Sequence, residues 1–147
     1  MPTLAFSSVG STLSISAGVP ATFNAAGFAA LTYTLVKDLT DIGVIGGDTS
    51  IINHNPVAEN TTYKLKGSRD PGSLSLKGAY APTDPGQILL KAADVSPNTY
   101  CIKMVLQNGT IFYSQALITG FKVTVGGQSQ ITGMEANAAL SGDLVVV

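Results

Sequence analysis

The side chains able to do chemistry are few and far apart. The one histidine, His54, stands between Asn53 and Asn55. A general base works only with a partner group held within hydrogen-bond reach, and no nucleophile accompanies it. The one cysteine, Cys101, rules out an internal disulfide. It alternates within a strand pattern and reads as a small packed residue. His54 and Cys101 do not make a metal set between them. Asp38 and Asp41 lie close in sequence, but so short an acidic pair falls well short of a calcium loop. Gly46-Gly47-Asp48 reads as a turn; the phosphate-loop and dinucleotide fingerprints are absent. The expectation is no catalytic residue, no metal and no cofactor, hence not an enzyme.

If chemistry is sparse, so is charge. Of 147 residues, 12% are charged, about half the roughly 25% usual in soluble domains. A free monomer with so little charge is poorly protected against association. The composition therefore points to a surface covered by other protein, most simply by further copies of the same chain. The net charge of −1 sets up no basic field for nucleic acid. There is no Trp, and the aromatic residues are not interleaved with a basic stripe as a nucleic-acid reader requires. No stretch approaches the about 18 apolar residues of a membrane span, so no membrane partner is expected. Met1 to Phe6 lacks the basic start and long apolar run of a signal peptide, which points to folding in a cytoplasm. The charges are also unevenly placed. Residues 1–36 carry none, Asp38 to Glu59 carries four acids and no base, and Lys64 to Lys77 carries four bases against Asp70. Acid followed by base suits head-to-tail contact between copies; ordinary solvated charges would look the same.

The elements that must position these residues read mainly as strands. Asp84 to Val95 (D-P-G-Q-I-L-L-K-A-A-D-V) is the exception, a helix. Asp84 is an N-cap, Pro85 suits the first helical position, and Gln87 completes a capping-box spacing. Ile88, Leu89, Ala92 and Val95 mark its apolar face. Gln87, Lys91 and Asp94 should then point away, to solvent or a neighbour. Alternation marks strands at Thr12 to Ser16, Leu31 to Val36, Thr61 to Lys66 and Ser73 to Tyr80. The turn-rich S-R-D-P-G-S between the last two suggests that they pair with each other. Tyr100 to Gln107 and Thr110 to Thr119 flank Asn108-Gly109, a strong hairpin signal. Gly120 suggests a bulge or bend, and Phe121 to Val125 continue the sheet. Residues 128–140 give a further strand with weak patterning. Ser141-Gly142-Asp143 reads as a turn into Leu144 to Val147, a short, wholly apolar terminal strand that should not remain exposed. Residues 37–60 are the least regular and read as a long projecting loop or loose hairpin. One domain spanning 1–147 is the simplest division.

From Tyr63 onward the order of elements becomes specific. L-S-L-K-G-A-Y-A-P-T-D-P-G-Q, the Q-N-G hairpin and the terminal S-G-D-L-V-V-V resemble the major tail tube protein of long-tailed bacteriophages, over about Gly43 to Val147. The resemblance implies a mainly β subunit, an antiparallel sandwich that contributes to a barrel, with one flanking α-helix at about 84–95. It implies sixfold rings whose sheets join edge to edge around a channel. The rings would stack into a tube around a tape-measure protein, with tail terminator and distal tail proteins at its ends. Double-stranded DNA would pass through the lumen without specific binding. The subunit would belong to the virion tail and be assembled in the host cytoplasm.

Asp38, Asp41, Asp48, Ile51, Ile52 and Glu59 are the candidate contacts between rings. Gln87, Lys91, Asp94, Leu144, Val145, Val146 and Val147 are the candidates within a ring. Thr62, Lys64, Ser75, Lys77 and Lys103 are expected to share one polar face. The alternative functions are a tube subunit of a contractile injection or secretion system, and a ligand-binding β-sandwich module on a virion. The second is disfavoured by the missing Trp, since sugar binders present exposed aromatic rings.

Overall fold

A computed structural model describes residues 5–147; of the Met1 to Phe6 stretch read above, the first four residues lie outside it. The chain is mainly β. Its elements are β1 (Thr12–Ser16), α1 (Ala25–Ala29), β2 (Thr34–Val36), β3 (Leu39–Asp41), β4 (Asp48–His54), β5 (Tyr63–Asp70), β6 (Ser73–Ala79), α2 (Pro85–Val95), β7 (Tyr100–Val105), β8 (Ile111–Thr124) and β9 (Gly133–Val146). Seven strands form one antiparallel sheet in the order β2-β1-β7-β8-β9-β6-β3, and β4 pairs with β5 alone.

The sheet hinges on β8 and β9, each 14 residues long. β7 covers β8 only up to Ala116, and β6 pairs with β9 from Gly133 to Ala139. The two long strands therefore carry β7, β1 and β2 at one end and β6 and β3 at the other. Their register slips at Ile118/Gly120 and again between Tyr113 and Gln115. Thr119 is the extra residue there, with Gly120 paired to Asn137, so a bulge falls next to the glycine, where an isolated glycine in a strand suggests one. Ser141-Gly142-Asp143 is not a turn between two strands. The chain continues through it as an irregularity within β9, and Gly142 takes a left-handed φ of 81° there. That conformation is what glycine supplies without steric cost.

One face of the sheet holds the main core. Leu13, Ile15, Leu74, Leu76, Ile102, Met104, Ala116, Met134 and Ala136 are buried there beneath α2. α2 begins where Asp84 accepts from the Gln87 N–H at 3.3 Å, and Pro85 follows it. The helix lies so close to β2 that a Cβ on Gly86 would collide with the Leu35 carbonyl oxygen. The opposite face carries a smaller cluster that no periodicity marks. Asn24 caps the five-residue α1 by accepting from Gly27 at 2.8 Å. Phe28 is fully buried and stacks on Tyr113, with ring centroids 5.6 Å apart. Cys101 is buried beside them.

The expected pairing of β5 with β6 does not occur. Pro71 and Gly72 lead from one sheet to the other, and β5 pairs back onto β4 through Ile52↔Leu65 and His54↔Tyr63. Residues 48–70 therefore form a two-stranded arm, and part of the irregular 37–60 segment is its first strand.

Candidate assembly surfaces

Three surfaces are built by this fold, and each collects residues that a single copy leaves open. The first is the arm. Ile51, Ile52, Tyr63 and Leu65 are all exposed on it. Ile52 pairs with Leu65 and His54 with Tyr63, so the side chains of these two pairs share one face of the ribbon by strand alternation. An isolated two-stranded hairpin is marginal in water, and this one has no sheet beneath it among the described residues. At its tip the Tyr63 hydroxyl donates to Glu59 Oε2 at 2.5 Å, which raises the phenol's pKa. Asp48 sits at the base of the arm opposite Asp70. Asp38 and Asp41 lie outside the arm, before and at the end of β3 at the edge of the main sheet. The acidic residues grouped by sequence are thus split between two surfaces.

The second surface is the flank of α2, and here the expected helix face is wrong by one position. Gly86, Gln87, Leu90 and Ala93 are buried, whereas Ile88 and Val95 are 54% and 83% exposed and Ala92 faces out. Leu89 is half-buried against the core, as expected. The correction has a polar cause. Gln87, expected to point away from the sheet, is instead 2% exposed and ties three chain segments together. Its Nε2 donates to the carbonyls of Ala79 at 2.9 Å and Lys37 at 3.1 Å, and its Oε1 accepts from the Ala81 N–H at 2.8 Å. Apolar periodicity cannot register a buried amide that is fully hydrogen-bonded. Asp84 works alongside it, accepting from the Lys37 N–H at 3.0 Å. Lys91 is exposed and Asp94 half-buried. With Gln87 turned inward, Ile88 is left beside Tyr80, Pro82, Lys91 and Phe121 around a groove of about 200 Å³.

The third surface is the open part of the sheet and its edges. From Leu117 to Thr124, β8 has β9 on one side and no strand on the other among the described residues. Beyond β9 and β6, β3 is the opposite edge. On the face turned from α2, Lys77 is the cross-strand partner of Glu135, and Glu135 of Lys122. Ser75 pairs with Asn137 in the next row. Lys103 shares this side of the sheet but lies in the α1 half, 5.7 Å from the Tyr33 ring centroid. Thr62 and Lys64 do not share it; Lys64 is on the arm, and Thr62 precedes β5.

The C-terminal residues divide. Leu144 and Val145 are half-buried, with Val145 packed on the Phe28 cluster. Val146 and Val147 stay more than half exposed. Val147 exchanges backbone hydrogen bonds with Ile111, at 2.9 Å and 3.3 Å, so the apolar end extends the sheet. Cys101 has its thiol pushed up to about 11 by burial, and desolvation raises Tyr33 as well; both shifts hold these groups in their neutral, unreactive forms.

No curated protein matches this chain. Solved structures with the same fold include a chain of the anti-feeding prophage baseplate, at 14% identity and a TM-score of 0.71, covering 100% of this chain and 97% of that one. A chain of the sheath/tube terminator of an extracellular contractile injection system matches at 10% identity and a TM-score of 0.70, over 97% and 96% of the two chains. A chain of the virion of a native gene transfer agent matches at 14% and 0.65, over 92% and 95%. Residues 14–147 match the family described as phage tail tube protein, TTP, and the chain belongs to that family.

Proposed function

We propose that this chain is a structural building block, one domain that closes with five copies of itself into a ring, and that the rings stack into a tail tube conducting DNA. The observation that carries this reading is the pair of open edges on one four-stranded unit. β8 overhangs its neighbour from Leu117 to Thr124, and β3 ends the same unit on the far side. Unpaired edges are liabilities in a free monomer, and a closed ring removes them. Because the two edges differ, the contact is head-to-tail, the kind that makes rings when the rotation closes. The strands alternate in direction across β8-β9-β6-β3, so β3 of one copy meets β8 of the next antiparallel. The charges suit that pairing, with Asp38 and Asp41 at one edge and Lys122 at the other. We therefore assign Asp38 and Asp41 to contacts within a ring, and the arm residues Asp48, Ile51, Ile52 and Glu59 to contacts with another copy beyond it.

In such a ring α2 packs on the outside of the barrel and the face bearing Lys77, Glu135 and Lys122 lines the bore. Setting an acid between two bases offsets part of the wall's positive charge and so weakens its grip on phosphate, since each unopposed Lys–phosphate contact adds affinity. The sixfold arrangement draws support from relatives solved as a sixfold-symmetrised baseplate and a tail refined with C6 symmetry. A tape-measure protein inside, and terminator and distal tail proteins at the ends, are the partners this role requires. The role is mechanical, with assembly in the host cytoplasm. Likeness to a chain of an extracellular contractile injection system keeps a tube of that kind as the second reading; sheath genes beside the coding sequence would favour it. Electron microscopy of the purified protein tests the proposal. Rings or tubes with a central channel are expected, and a monomer that persists at high concentration overturns it.

A further inference from the structure

Two unpartnered features of this chain match in shape and charge. The first is convex. The arm tip, residues 55–62, turns at Pro56, where the Glu59 N–H donates to the Pro56 carbonyl at 3.3 Å. The turn holds Val57 fully exposed, at 105% of its reference area. Glu59 is the one charged residue in that stretch, and its carboxylate is steadied by the Tyr63 hydroxyl. A valine presented alone at the end of a polar turn does nothing for the stability of its own subunit.

The second feature is concave. The groove beside α2 has Tyr80 and Phe121 as its aromatic walls, their centroids 6.5 Å apart in an edge-on arrangement. Ile88 and Pro82 complete the apolar lining, and Lys91 is the one charged residue on its rim. Its volume of about 200 Å³ accommodates an aliphatic side chain. One apolar projection beside a single acid thus faces the complement of one apolar groove beside a single base. An exposed aliphatic helix residue walled by aromatic rings is the kind of pocket that an interface anchor fills.

We infer that the arm tip of one copy docks on the α2 groove of a second copy, with Val57 in the groove and Glu59 against Lys91. The inference rests on the assembly reading above and adds its seat. Both surfaces belong to every copy, so each subunit gives one contact and receives one. Such a contact propagates along a stack instead of closing on itself as a pair.

The test is a cross-link in the assembled full chain. Val57→Cys and Ile88→Cys are introduced together, with the buried native Cys101 left in place. Oxidised tubes of the double variant should run as a ladder on a non-reducing denaturing gel, and each single variant should not. Charge reversal supplies the second arm. Glu59→Lys and Lys91→Glu should each raise the concentration needed for assembly several-fold, and the double reversal should recover most of the loss. A simple folding defect would not be rescued in this way. Wild-type tubes with no ladder from the double cysteine variant, and indifference to both charge reversals, would overturn the seat while leaving the tube intact and the groove open to some other partner. Failure of the wild-type protein to assemble at all would overturn the underlying reading, and the seat with it.

Discussion

Replacing Gln87 with alanine should be among the most damaging changes on α2, although Gln87 looks like a surface residue by pattern. The substitution removes three hydrogen bonds made to the Ala79 and Lys37 carbonyls and the Ala81 N–H. A buried polar group left without a partner costs about 1–3 kcal/mol. The Ala81 N–H loses the acceptor it has in Gln87, and the Ala79 and Lys37 carbonyls each lose a donor. Adding the void left by a 2%-exposed side chain, the total is about 3–5 kcal/mol. For a chain of this size each kcal/mol moves the midpoint by about 2–4 °C, so a fall on the order of 10 °C is expected. Ile88→Ala, on the 54%-exposed neighbour, should cost under about 1 kcal/mol. Thermal melts of the unassembled subunit, followed by far-UV circular dichroism at low concentration, read both without a contribution from association. If Ile88→Ala proved more costly than Gln87→Ala, the helix would be facing the core as its apolar spacing suggests, and the role given to Gln87 would be wrong.

Three other outcomes are expected. On the overhanging part of β8, neighbouring residues point their N–H groups to opposite sides, so of Phe121→Pro and Lys122→Pro one should unfold the sheet and the other should stay folded but fail to assemble; identical behaviour of the two in an assembly assay would remove the open edge from consideration. Gly142→Val places a branched side chain at φ 81° with its Cβ 3.0 Å from the Phe23 ring, and should lower stability by about 1–2 kcal/mol, visible as a shifted denaturation midpoint. Cys101 should resist thiol reagents until the protein unfolds. Because its folded pKa is raised from 9.0 to about 11, its contribution is fully present below pH 9 and is lost as pH rises toward 11, so unfolding midpoints measured across that range should fall more for wild type than for Cys101→Ala.

Most strands are legible in the sequence because their signals are local. Asn108-Gly109 makes the β7–β8 hairpin, and Asp84-Pro85 begins α2 within a residue of the expected start. Gly120 marks the bulge because a glycine inside an alternating strand packs no side chain and so signals a break in the ladder. Where pattern and structure part, the origin is different. β5 and β6 are joined by a turn strong enough to suggest a hairpin, yet β5 pairs with β4 across a longer connection. Strand partnership is a tertiary choice that alternation does not encode. The helix face slips because Gln87 is buried for its amide, not for apolarity. α1 is five residues long, too short to show a period, and its one signal is Asn24 as a cap. Charge grouping in sequence does not carry over into space: Asp38 and Asp41 go to the sheet edge while Asp48 and Glu59 go with the arm.

The central claim is that the open edge of β8 is closed by the next copy in a ring. Cryo-electron microscopy of tubes assembled from the purified full chain tests it most directly. The expected result is sixfold rings in which residues 117–124 of β8 run antiparallel to the β3 edge of the neighbouring subunit, with Lys77, Glu135 and Lys122 facing the channel and α2 outside. Tubes in which that stretch of β8 remains unpaired, or in which α2 lines the bore, would contradict it.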